Sequence, residues 1–386
     1  MPASAVAAQA KMQEDYSVPA ADVIIVGGGV IGCSIAYYLA QAGARVTIFE
    51  RGDIGGEASG ASAGMLAPLG DSLQQGPLDN LCLASLQLFG SLADSLRGET
   101  GIDVEYVRSG VLRITFTEED ATLLRQQVER MQGLLQWVDS ETIRALEPRL
   151  APTRGGFYFP HLYHVNAGRL TQALAQAAEA RGAVLRRGMA VTGLLTDRSR
   201  VTGVRFREGR AAARHVVLAA GPWTAAFGRQ LRVPLPVKPV RGQMLAFASS
   251  PVRHMIAWEE ERALLPKPNG FLFVGSTAES VGFRKNTTTR GLSLLRRIAT
   301  TSVPSLAYAE VASSWAGLRP ASPDGLPILG PVPGWEGVSV ASGHFRQGVL
   351  LAPITGQSIA QGLTQGETDK PLDAAFAPTR FVSGRP

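Results

Sequence analysis

The sequence predicts an α/β protein with a Rossmann-like parallel sheet and a second, mostly antiparallel β domain inserted into it. Strand-like and helical segments alternate at both ends of the chain, as they do when helices cover a parallel sheet. Residues 244–275 instead carry several strand-like runs broken by Pro and Gly. No segment recurs with a fixed period, which argues against a repeat architecture.

The length and composition indicate a globular protein with two domains. A chain of 386 residues is too long for one compact core. Apolar residues make up 45% and charged residues 18%, which excludes a disordered chain. No run of about 18 apolar residues occurs, so a membrane span is not expected. The net charge of +6 comes without a Lys/Arg block, which argues against nucleic acid as a partner.

The two cysteines, Cys33 and Cys82, are too few for a disulfide framework, which favours a reducing compartment and a cytoplasmic protein. The Cys and His residues supply no four-ligand zinc set, so no metal is expected. The first 20 residues are Ala-rich and are interrupted by Lys11 and Glu14, unlike a signal peptide. We interpret residues 1–20 as a flexible extension.

The first ordered unit is predicted to be strand, turn, helix and strand. Residues 23–26 form a β-branched run that is typical of a buried parallel strand. The helical pattern of residues 31–42 ends at Gly43, and residues 45–49 form a second strand-like run that ends at Glu50. Further helices are expected over residues 81–96, 118–137, 170–180, 291–299 and 350–363, and strands over 104–116, 183–185, 201–206, 215–218 and 337–341.

The turn after the first strand carries a dinucleotide-binding fingerprint. Gly27 permits the tight turn, Gly29 lets the backbone approach a pyrophosphate, and Gly32 lets the helix pack on the strand. The N-terminus of that helix then meets phosphate charge with free N–H groups. Glu50 stands where an acid meets a ribose hydroxyl, which argues against NADP. A helix-packing turn without a ligand explains the glycines but not this acid. The motif alone leaves FAD and NAD open.

Several further segments resemble the glycine oxidase branch of the D-amino-acid oxidase superfamily of FAD-dependent amine oxidoreductases. They are the small-residue loop 55–66 and the motifs at 216–223, 239–243, 315–327 and 343–353. The resemblance extends over almost all of the chain after residue 20 and favours FAD over NAD. We divide the chain accordingly into a discontinuous FAD-binding domain (21–90, 151–240 and 316–370), a substrate domain (91–150 and 241–315) and a weakly ordered tail (371–386).

The resemblance implies which residues contact the flavin. A flavin is broad and flat, so small residues are needed near it, and the helix after Gly343 can stabilise negative charge on the reduced flavin. No cysteine follows Cys82, so the FAD is expected to be non-covalent, unlike that of related sarcosine oxidases. The implied cofactor-binding residues are Gly27, Gly29, Val30, Ile31, Gly32, Glu50, Arg51, Ala58, Ser59, Ala63, Gly64, Met65, Val191, Gly221, His344, Phe345, Arg346, Gln347, Gly348, Val349 and Leu350.

The resemblance also implies that Arg319 holds the substrate carboxylate. The planar fork of arginine suits a carboxylate, and it stays charged in a pocket. The alternatives for Arg319 are a surface position or an ion pair with Asp324, and Arg346 is a second candidate for the carboxylate. Hydride transfer to the flavin and imine hydrolysis need positioning more than a strong base. We therefore assign no catalytic residue, and expect His344 to be structural or to contact the flavin.

Three departures from the family pattern lie at the substrate end. Ala263 replaces a tyrosine that helps to hold the carboxylate, and Glu261 replaces a polar aromatic residue. Ala278 stands where a methionine can line the pocket, to which Met65 also contributes. The expected result is a roomier pocket that accepts an N-substituted glycine, such as an N-carboxymethyl amino acid. The candidates for binding a second substrate carboxylate are Arg241, Arg262 and Lys267.

Other functions remain open at this point. Glycine itself, oxidised for thiamine biosynthesis, is the alternative substrate, and oxygen is the expected electron acceptor. The alternative classes are a flavin dehydrogenase that uses another acceptor and a non-catalytic FAD-binding protein. Related enzymes are often homo-oligomers, so the resemblance allows a homo-oligomer here.

Overall fold

The computed structural model describes residues 18–68, 76–131, 133, 135–259, 262–366 and 373–382. The strands in chain order are β1 (Val18–Val26), β2 (Val46–Phe49), β3 (Met65–Leu66), β4 (Val107–Arg108), β5 (Val111–Thr115), β6 (Gln136–Val138), β7 (Gly155–Phe159), β8 (Tyr163–His164), β9 (Val184–Arg186), β10 (Val191–Asp197), β11 (Arg200–Phe206), β12 (Gly209–Leu218), β13 (Lys238–Phe247), β14 (Met255–Glu259), β15 (Arg262–Pro266), β16 (Leu272–Gly275), β17 (Val311–Ala321), β18 (Ile328–Pro331) and β19 (Val338–Ser342).

The α-helices in chain order are α1 (Val30–Gln41), α2 (Pro77–Thr100), α3 (Glu118–Arg130), α4 (Ser140–Leu146), α5 (Ala167–Ala180), α6 (Thr224–Leu231), α7 (Thr289–Ser302) and α8 (Gly348–Thr364). Short 3₁₀ turns cover Gly221–Trp223, Pro304–Tyr308 and Pro378–Phe381.

The first sheet has the order β10-β11-β12-β1-β2-β9, with β19 and β18 beside β12. Strands β12, β1, β2, β9 and β19 form its parallel part, whereas β10, β11 and β18 pair with it in antiparallel fashion. Strand β1 pairs in parallel with β12 on one side and with β2 on the other. Four consecutive residues at the end of β1 pair with all four residues of β2, which are all buried. Helices α1, α5 and α8 cover this sheet with a core that includes Ile25, Ile48 and Leu350.

The second sheet has the order β17-β13-β16-β15-β14-β5-β7-β6. Its neighbouring strands are antiparallel except for β14 and β5, which run parallel. Helix α7 packs on it around Leu295 and Ile298. A small third sheet, β3-β8-β4, joins Met65 to His164. The predicted α/β class and the antiparallel second sheet are therefore confirmed.

Two predicted elements differ in the structure. The helix predicted over residues 118–137 ends at Arg130, because Gly133 turns the chain with a φ of 81° and Trp137 then pairs with Phe157 in strand β6. Strand β7 lies within residues 151–240, which we assigned to the FAD-binding domain, yet it pairs with β5 and β6. The second sheet thus reaches beyond residue 150.

The chain termini also depart from the expectation. Of the extension 1–20, residues 1–17 lie outside the described residues, and β1 begins at Val18. The tail predicted to be weakly ordered is packed over residues 373–382. Phe376 is only 1% exposed in the first core, and its carbonyl accepts a hydrogen bond from Leu329 N at 2.9 Å. Arg380 also pairs with Asp324 at 2.7 Å. These contacts anchor a segment whose Pro-rich composition indicated disorder.

The contact between α1 and α8 depends on a helical glycine. A Cβ at Gly356 would lie 2.8 Å from the Ser34 carbonyl oxygen, and the Ser34 hydroxyl donates to Ala352 O at 2.7 Å. We expect Gly356→Ala to lower the free energy of unfolding by about 1–3 kcal/mol, because the methyl group forces the two helices apart. Chemical denaturation measures the change.

Gly90 in α2 is the matched control, since a Cβ there would meet no atom within 4 Å. Gly90→Ala should raise the free energy of unfolding by up to about 1 kcal/mol through helix propensity and a less flexible unfolded chain. Equal effects of the two substitutions would show that close packing at Gly356 is not the cause.

Candidate active site

A cavity of about 620 Å³ lies between the two large sheets. One end is formed where β1, β2 and β12 finish, the usual place for a ligand on a parallel sheet. The other end follows the second sheet across β5, β7, β14, β15 and β16. Residues of both sheets therefore surround one continuous space within the size range of ligand pockets.

The glycine turn after β1 is shaped for close approach. Gly27 has a φ of 113°, and a Cβ there would lie 2.9 Å from the carbonyl carbon of Ala219. A Cβ at Gly32 would collide with the Gly27 carbonyl oxygen, so α1 can pack on the turn only with glycine at this position. At Gly29 a Cβ would meet only the Ser59 hydroxyl, at 3.2 Å. The backbone of the turn therefore packs closely against the rest of the protein but is open on the side of the cavity, as binding of a pyrophosphate requires.

Glu50 is held in place at the end of β2. One carboxylate oxygen accepts from Gly28 N at 2.7 Å and the other from Gly52 N at 2.8 Å. The residue is 9% exposed and lines the cavity, and each of its carboxylate oxygens keeps a further acceptor site. The next residue, Arg51, stacks on the Trp223 ring with 3.5 Å to the centroid. This end of the cavity suits a ribose and an adenine.

The small-residue loop connects the nucleotide end to the second sheet. The Ser59 hydroxyl accepts from Val30 N at 2.9 Å and caps the start of α1 from a distant part of the chain. On the other side, the indole N–H of Trp315 donates to Ala61 O at 3.0 Å. A Cβ at Gly317 would lie 2.6 Å from the Ala61 methyl group. Only small residues fit between the loop and β17, so this loop is rigidly placed along the cavity.

The segment that begins at His344 closes the cavity from the α8 side. Phe345 adopts a φ of 46°, an uncommon backbone conformation for a non-glycine residue, and its N–H donates to Pro320 O at 2.9 Å. Burial lowers the pKa of His344 to about 3, so its imidazole is neutral near pH 7. Its Nε2 lies 3.2 Å from the Thr355 hydroxyl, while the buried Nδ1 has no hydrogen-bond partner among the described residues.

An orphaned ring nitrogen at a cavity wall calls for a polar ligand atom. The glycine turn, Glu50, the small-residue loop and His344 together fit FAD, whose phosphates, ribose and ring system need these features in this order. When bound, FAD supplies a two-electron acceptor. The covalent or non-covalent state of the flavin stays a prediction.

Arg319 lies in β17 and lines the cavity on the side of the second sheet. Its guanidinium donates to Thr277 O at 3.0 Å and to the Ser276 hydroxyl. A Cβ at Gly242 would lie 2.6 Å from the Arg319 Cζ, so glycine on the paired strand leaves room for the guanidinium. Asp324 pairs with Arg380 instead, and among the described residues it forms no ion pair with Arg319.

A buried polar network supports the segment to which Arg319 is bonded. The Glu279 carboxylate accepts from the Thr277 hydroxyl at 2.6 Å, from Gln243 Nε2 at 2.7 Å and from Arg241 at 2.6 Å. Partial burial raises the pKa of Glu279, but the hydrogen bonds from Arg241, Thr277 and Gln243 outweigh it and lower the pKa to about 2. Glu279 is thus ionised and holds residues 276–277 against β13.

Most predicted site residues are brought together in this cavity. The two residues proposed for the carboxylate, Arg319 and Arg346, line it, and so does Ala263. Gly32, Gly64 and Leu350 do not line it: the two glycines shape the adjacent loops, and the Leu350 side chain lies in the first core. The predicted cofactor residues that line the cavity are Gly27, Gly29, Val30, Ile31, Glu50, Arg51, Ala58, Ser59, Ala63, Met65, Val191, Gly221, His344, Phe345, Arg346, Gln347, Gly348 and Val349.

Three substrate-end predictions need correction, and Glu261 lies outside the described residues. Ala278 is exposed and does not line the cavity, because Thr277 turns its side chain inward to Gln243 and Glu279. Arg241 is neutralised by Glu279 and lies off the cavity. Lys267 is also off the cavity, with its ammonium directed at Val165 O at 3.2 Å.

The sequence interpretation missed other cavity residues. Trp223 lay within a quoted motif but received no role, and Ser276 was not singled out. Arg113, Ala257 and Phe157 line the second-sheet end, and only alternation along β5, β14 and β7 signalled which of their residues face inward. The partners of these strands are distant in sequence, so the alternation did not show where the inward faces meet.

The fold and this cavity define an oxidoreductase that binds FAD as a dinucleotide cofactor. The chain belongs to the family of FAD dependent oxidoreductases (DAO), whose model matches residues 22–362. It is 37% identical to the glycine oxidase of Geobacillus kaustophilus (strain HTA426) over 94% of this chain and 97% of that protein. It is 35% identical to the glycine oxidase of Pseudomonas putida (strain KT2440) over 89% of this chain and 95% of that protein.

Solved structures agree with this assignment. The crystal structure of glycine oxidase from Geobacillus kaustophilus superposes with a TM-score of 0.88 at 35% identity, covering 93% of this chain and 98% of that one. FAD as the cofactor and the oxidoreductase class, both predicted from the sequence, are therefore confirmed. No helix among the described residues is long and apolar enough to cross a membrane. In the same part of the chain, no three His, Cys, Asp or Glu side chains are grouped to hold a metal ion.

The position of Glu50 predicts its effect on cofactor affinity. Glu50→Gln removes the charge and one acceptor, while an amide still fills the space. We expect the dissociation constant for FAD to rise about 10- to 100-fold, the equivalent of a charge-assisted hydrogen bond. Titration of the apoprotein, followed by flavin fluorescence, measures it. Glu336→Gln, at a side chain that is 70% exposed on the first sheet, should leave the affinity unchanged, and a similar loss there would rule out a specific role.

The low pKa of Glu279 predicts a pH-dependent contribution to stability. Its pKa lies below the ordinary value of 4.5 in the folded protein, so the stability from the ionised form is complete above pH 4.5. That stability is lost as the pH falls from about 4.5 to about 2. Glu279→Gln should therefore flatten the dependence of the free energy of unfolding on pH within this window. Denaturation at several pH values tests this, and an unchanged slope would mean that the network does not hold the carboxylate ionised.

Proposed function

We propose that this protein oxidises the C–N bond of an N-substituted glycine, such as an N-carboxymethyl amino acid, with FAD as the electron acceptor. The observation that carries the proposal is that the cavity does not stop at Arg319. It continues along the second sheet, where small and apolar residues line most of it. Glycine alone would leave this part of the cavity unfilled.

The continuation of the cavity follows from the strand register. Gly275, Ala263 and Ala257 pair directly across β16, β15 and β14, so their small side chains form one row on the same face. Two positions further along the strands, a second row of apolar residues runs parallel to the first. That row consists of Phe273, Leu265, Met255, Val111 and Phe159, and all of them line the cavity. This part of the cavity, the substituent slot, suits an apolar N-substituent.

Arg319 then has the role of positioning the substrate. It binds the glycyl carboxylate, while residues 276–277 hold the guanidinium in place. When bound, FAD would supply the acceptor for the hydride of the glycyl α-carbon; water would hydrolyse the imine to glyoxylate and the free amine, and oxygen would take the two electrons to give peroxide. His344 is neutral and buried, so it would hold the flavin through hydrogen bonding rather than as a charged acid.

The names of the relatives support one alternative, and two others share the same cavity. Relatives with 35–37% identity are named glycine oxidases, which favours glycine as the substrate and a role in thiamine biosynthesis. A dehydrogenase that passes electrons to a carrier has the same cavity. Peroxide formation in air separates an oxidase from a dehydrogenase, and a flavin that no amine bleaches indicates a non-catalytic protein. A cytoplasmic homo-oligomer is part of the proposal by resemblance only.

The decisive experiment is anaerobic reduction of the bound flavin by glycine, sarcosine and a long-chain N-carboxymethyl amino acid. We expect the long-chain compound to bleach the flavin with the highest second-order rate constant, because only it fills the substituent slot. Arg319→Gln should slow all three about 10²-fold or more, since each loses its carboxylate anchor. If glycine bleaches the flavin fastest, the proposal of an N-substituted substrate is wrong and glycine is the favoured substrate.

Ala263→Leu tests the slot directly. The larger side chain fills the middle of the small-residue row, so reduction by the long-chain compound should slow at least about tenfold, while reduction by glycine changes little. Ala212→Leu, the same change at an exposed position of β12, is the control. If both substrates slow equally in Ala263→Leu, the alanine does not set the substrate size.

A further inference from the structure

The segment between β16 and α7 extends from the second sheet to the nucleotide end of the cavity. It covers residues 279–288, all of which the structure describes, and it contains no helix or strand. We call this segment the strap. Gly282 turns its chain with a φ of 63°. The two ends of the strap and its middle contact different parts of the molecule.

Both ends of the strap are fixed to β13 of the second sheet. At one end, Glu279 and Arg241 exchange two backbone hydrogen bonds of 2.9 Å each. At the other end, Thr288 N donates to the Oε1 atom of the buried Gln243 at 2.7 Å. The Arg241 guanidinium also donates to Asn286 O at 2.9 Å. The position of the residues between the two ends therefore depends on the second sheet.

The middle of the strap contacts two loops that carry predicted cofactor-binding residues. The Phe283 ring lies on the Trp223 ring, with 5.2 Å between the centroids and 30° between the planes. The Lys285 ammonium donates to Gly56 O at 2.8 Å and lies 3.0 Å from a carboxylate oxygen of Glu57. Trp223 follows β12, whereas Gly56 and Glu57 belong to the small-residue loop. The strap thus joins the second sheet to two loops at the nucleotide end.

These contacts complete a closed ring at the wall of the nucleotide end. Arg51 stacks on Trp223 and forms an ion pair with Glu57. Lys285 connects Glu57 to the strap, and Phe283 connects the strap back to Trp223. Arg51, Glu57 and Trp223 come from three separate loops and all line the cavity. No strap residue is among the described residues that line it, so the strap supports this wall from behind.

We propose that Phe283 and Lys285 are positioning residues for bound FAD, because they hold together the wall beside its adenosine part. FAD leaves the nucleotide end when this wall opens, and the strap keeps the wall closed. Glu57 is an anion on the wall of a site for a negatively charged pyrophosphate, and Lys285 also offsets its charge. This inference concerns the cofactor alone and does not depend on the identity of the substrate.

Both contacts of the strap are partly exposed, so each should have a moderate effect. Phe283 is 53% exposed, and the Lys285 side chain is 40% exposed. An aromatic pair and an exposed ion pair each correspond to about a two- to tenfold change in an equilibrium constant. The exposure also means that neither side chain belongs to the core, so substitutions at both positions should leave the protein folded.

The test is the release of the fluorescent ethenoadenine analogue of FAD. Apoprotein is loaded with the analogue and mixed with a large excess of FAD, and the change in fluorescence gives the dissociation rate constant. We expect this constant to rise about 3- to 10-fold in Phe283→Ala and about 2- to 5-fold in Lys285→Gln. Quenching of the bound ethenoadenine by acrylamide, a neutral quencher, should also increase, because the wall opens more often.

Matched variants separate the strap from general effects of the same substitutions. Tyr308→Ala removes an aromatic ring that is 96% exposed, and Lys238→Gln removes an exposed cation of β13. Neither control should change the release of the analogue. Phe283→Tyr and Lys285→Arg keep the ring and the cation, so they should release the analogue about as slowly as the unmodified protein.

Release at the unmodified rate in both Phe283→Ala and Lys285→Gln would overturn the inference, as would equal acceleration in the two controls. The free energy of unfolding of the apoprotein is measured in parallel. A strap that only stabilises the fold would lower this free energy without increasing acrylamide quenching in the loaded protein, and this result would also contradict the inference. If one variant cannot be loaded, the other decides, since each removes a different contact of the ring.

Discussion

The register of the second sheet is the constraint on which the substrate end depends. Successive side chains of a strand point to opposite faces, so a shift of one residue exchanges the two faces completely. In β15 such a shift would turn Ala263 away from the cavity and replace it with Arg262 or Leu264. The observed register instead aligns Ala263 with Gly275 on one side and Ala257 on the other. An apolar core of Leu112, Ile256 and Leu264 on the other face holds it there.

The substrate anchor and the cofactor loops form one mechanical unit. Strand β17 carries Arg319, and the next residue, Pro320, accepts the hydrogen bond of Phe345 in the loop that lines the cavity before α8. Four residues before Arg319, the indole of Trp315 is bonded to the small-residue loop. A movement of β17 would therefore move the guanidinium and both flavin loops together. Since hydride transfer is sensitive to the distance between donor and acceptor, this coupling serves positioning.

Local patterns in the sequence were sufficient to predict the nucleotide end of the cavity. The glycine turn, α1 and the acid after β2 lie within 30 residues, and each has its own chemical requirement, so the pattern predicted their arrangement. The substrate end depends on pairing between strands that are distant in the chain, such as β5 with β14. The sequence predicted Ala263 correctly as a cavity residue, but Ala278 was wrong because the Thr277 side chain determines which way the chain turns. The buried Phe376 was missed because Pro-rich composition concealed a single anchoring residue.

The cations near the substrate end of the cavity differ in the groups with which they interact. Arg241 and Lys267 were both candidates for a second substrate carboxylate, yet each is already committed to the protein. Arg241 neutralises Glu279, whose carboxylate holds the segment beside Arg319. Burial lowers the pKa of Lys267 to about 8, and its ammonium is directed at the carbonyls of Ala63 and Val165, so it ties the small-residue loop to the chain after β8. Both cations thus support the walls of the cavity, whereas Arg319 lines the cavity itself at the substrate end. A cation that pairs with other groups of the protein stabilises the fold, whereas a cation that lines the cavity can bind a ligand. The register of the sheet determines which of these positions each cation takes.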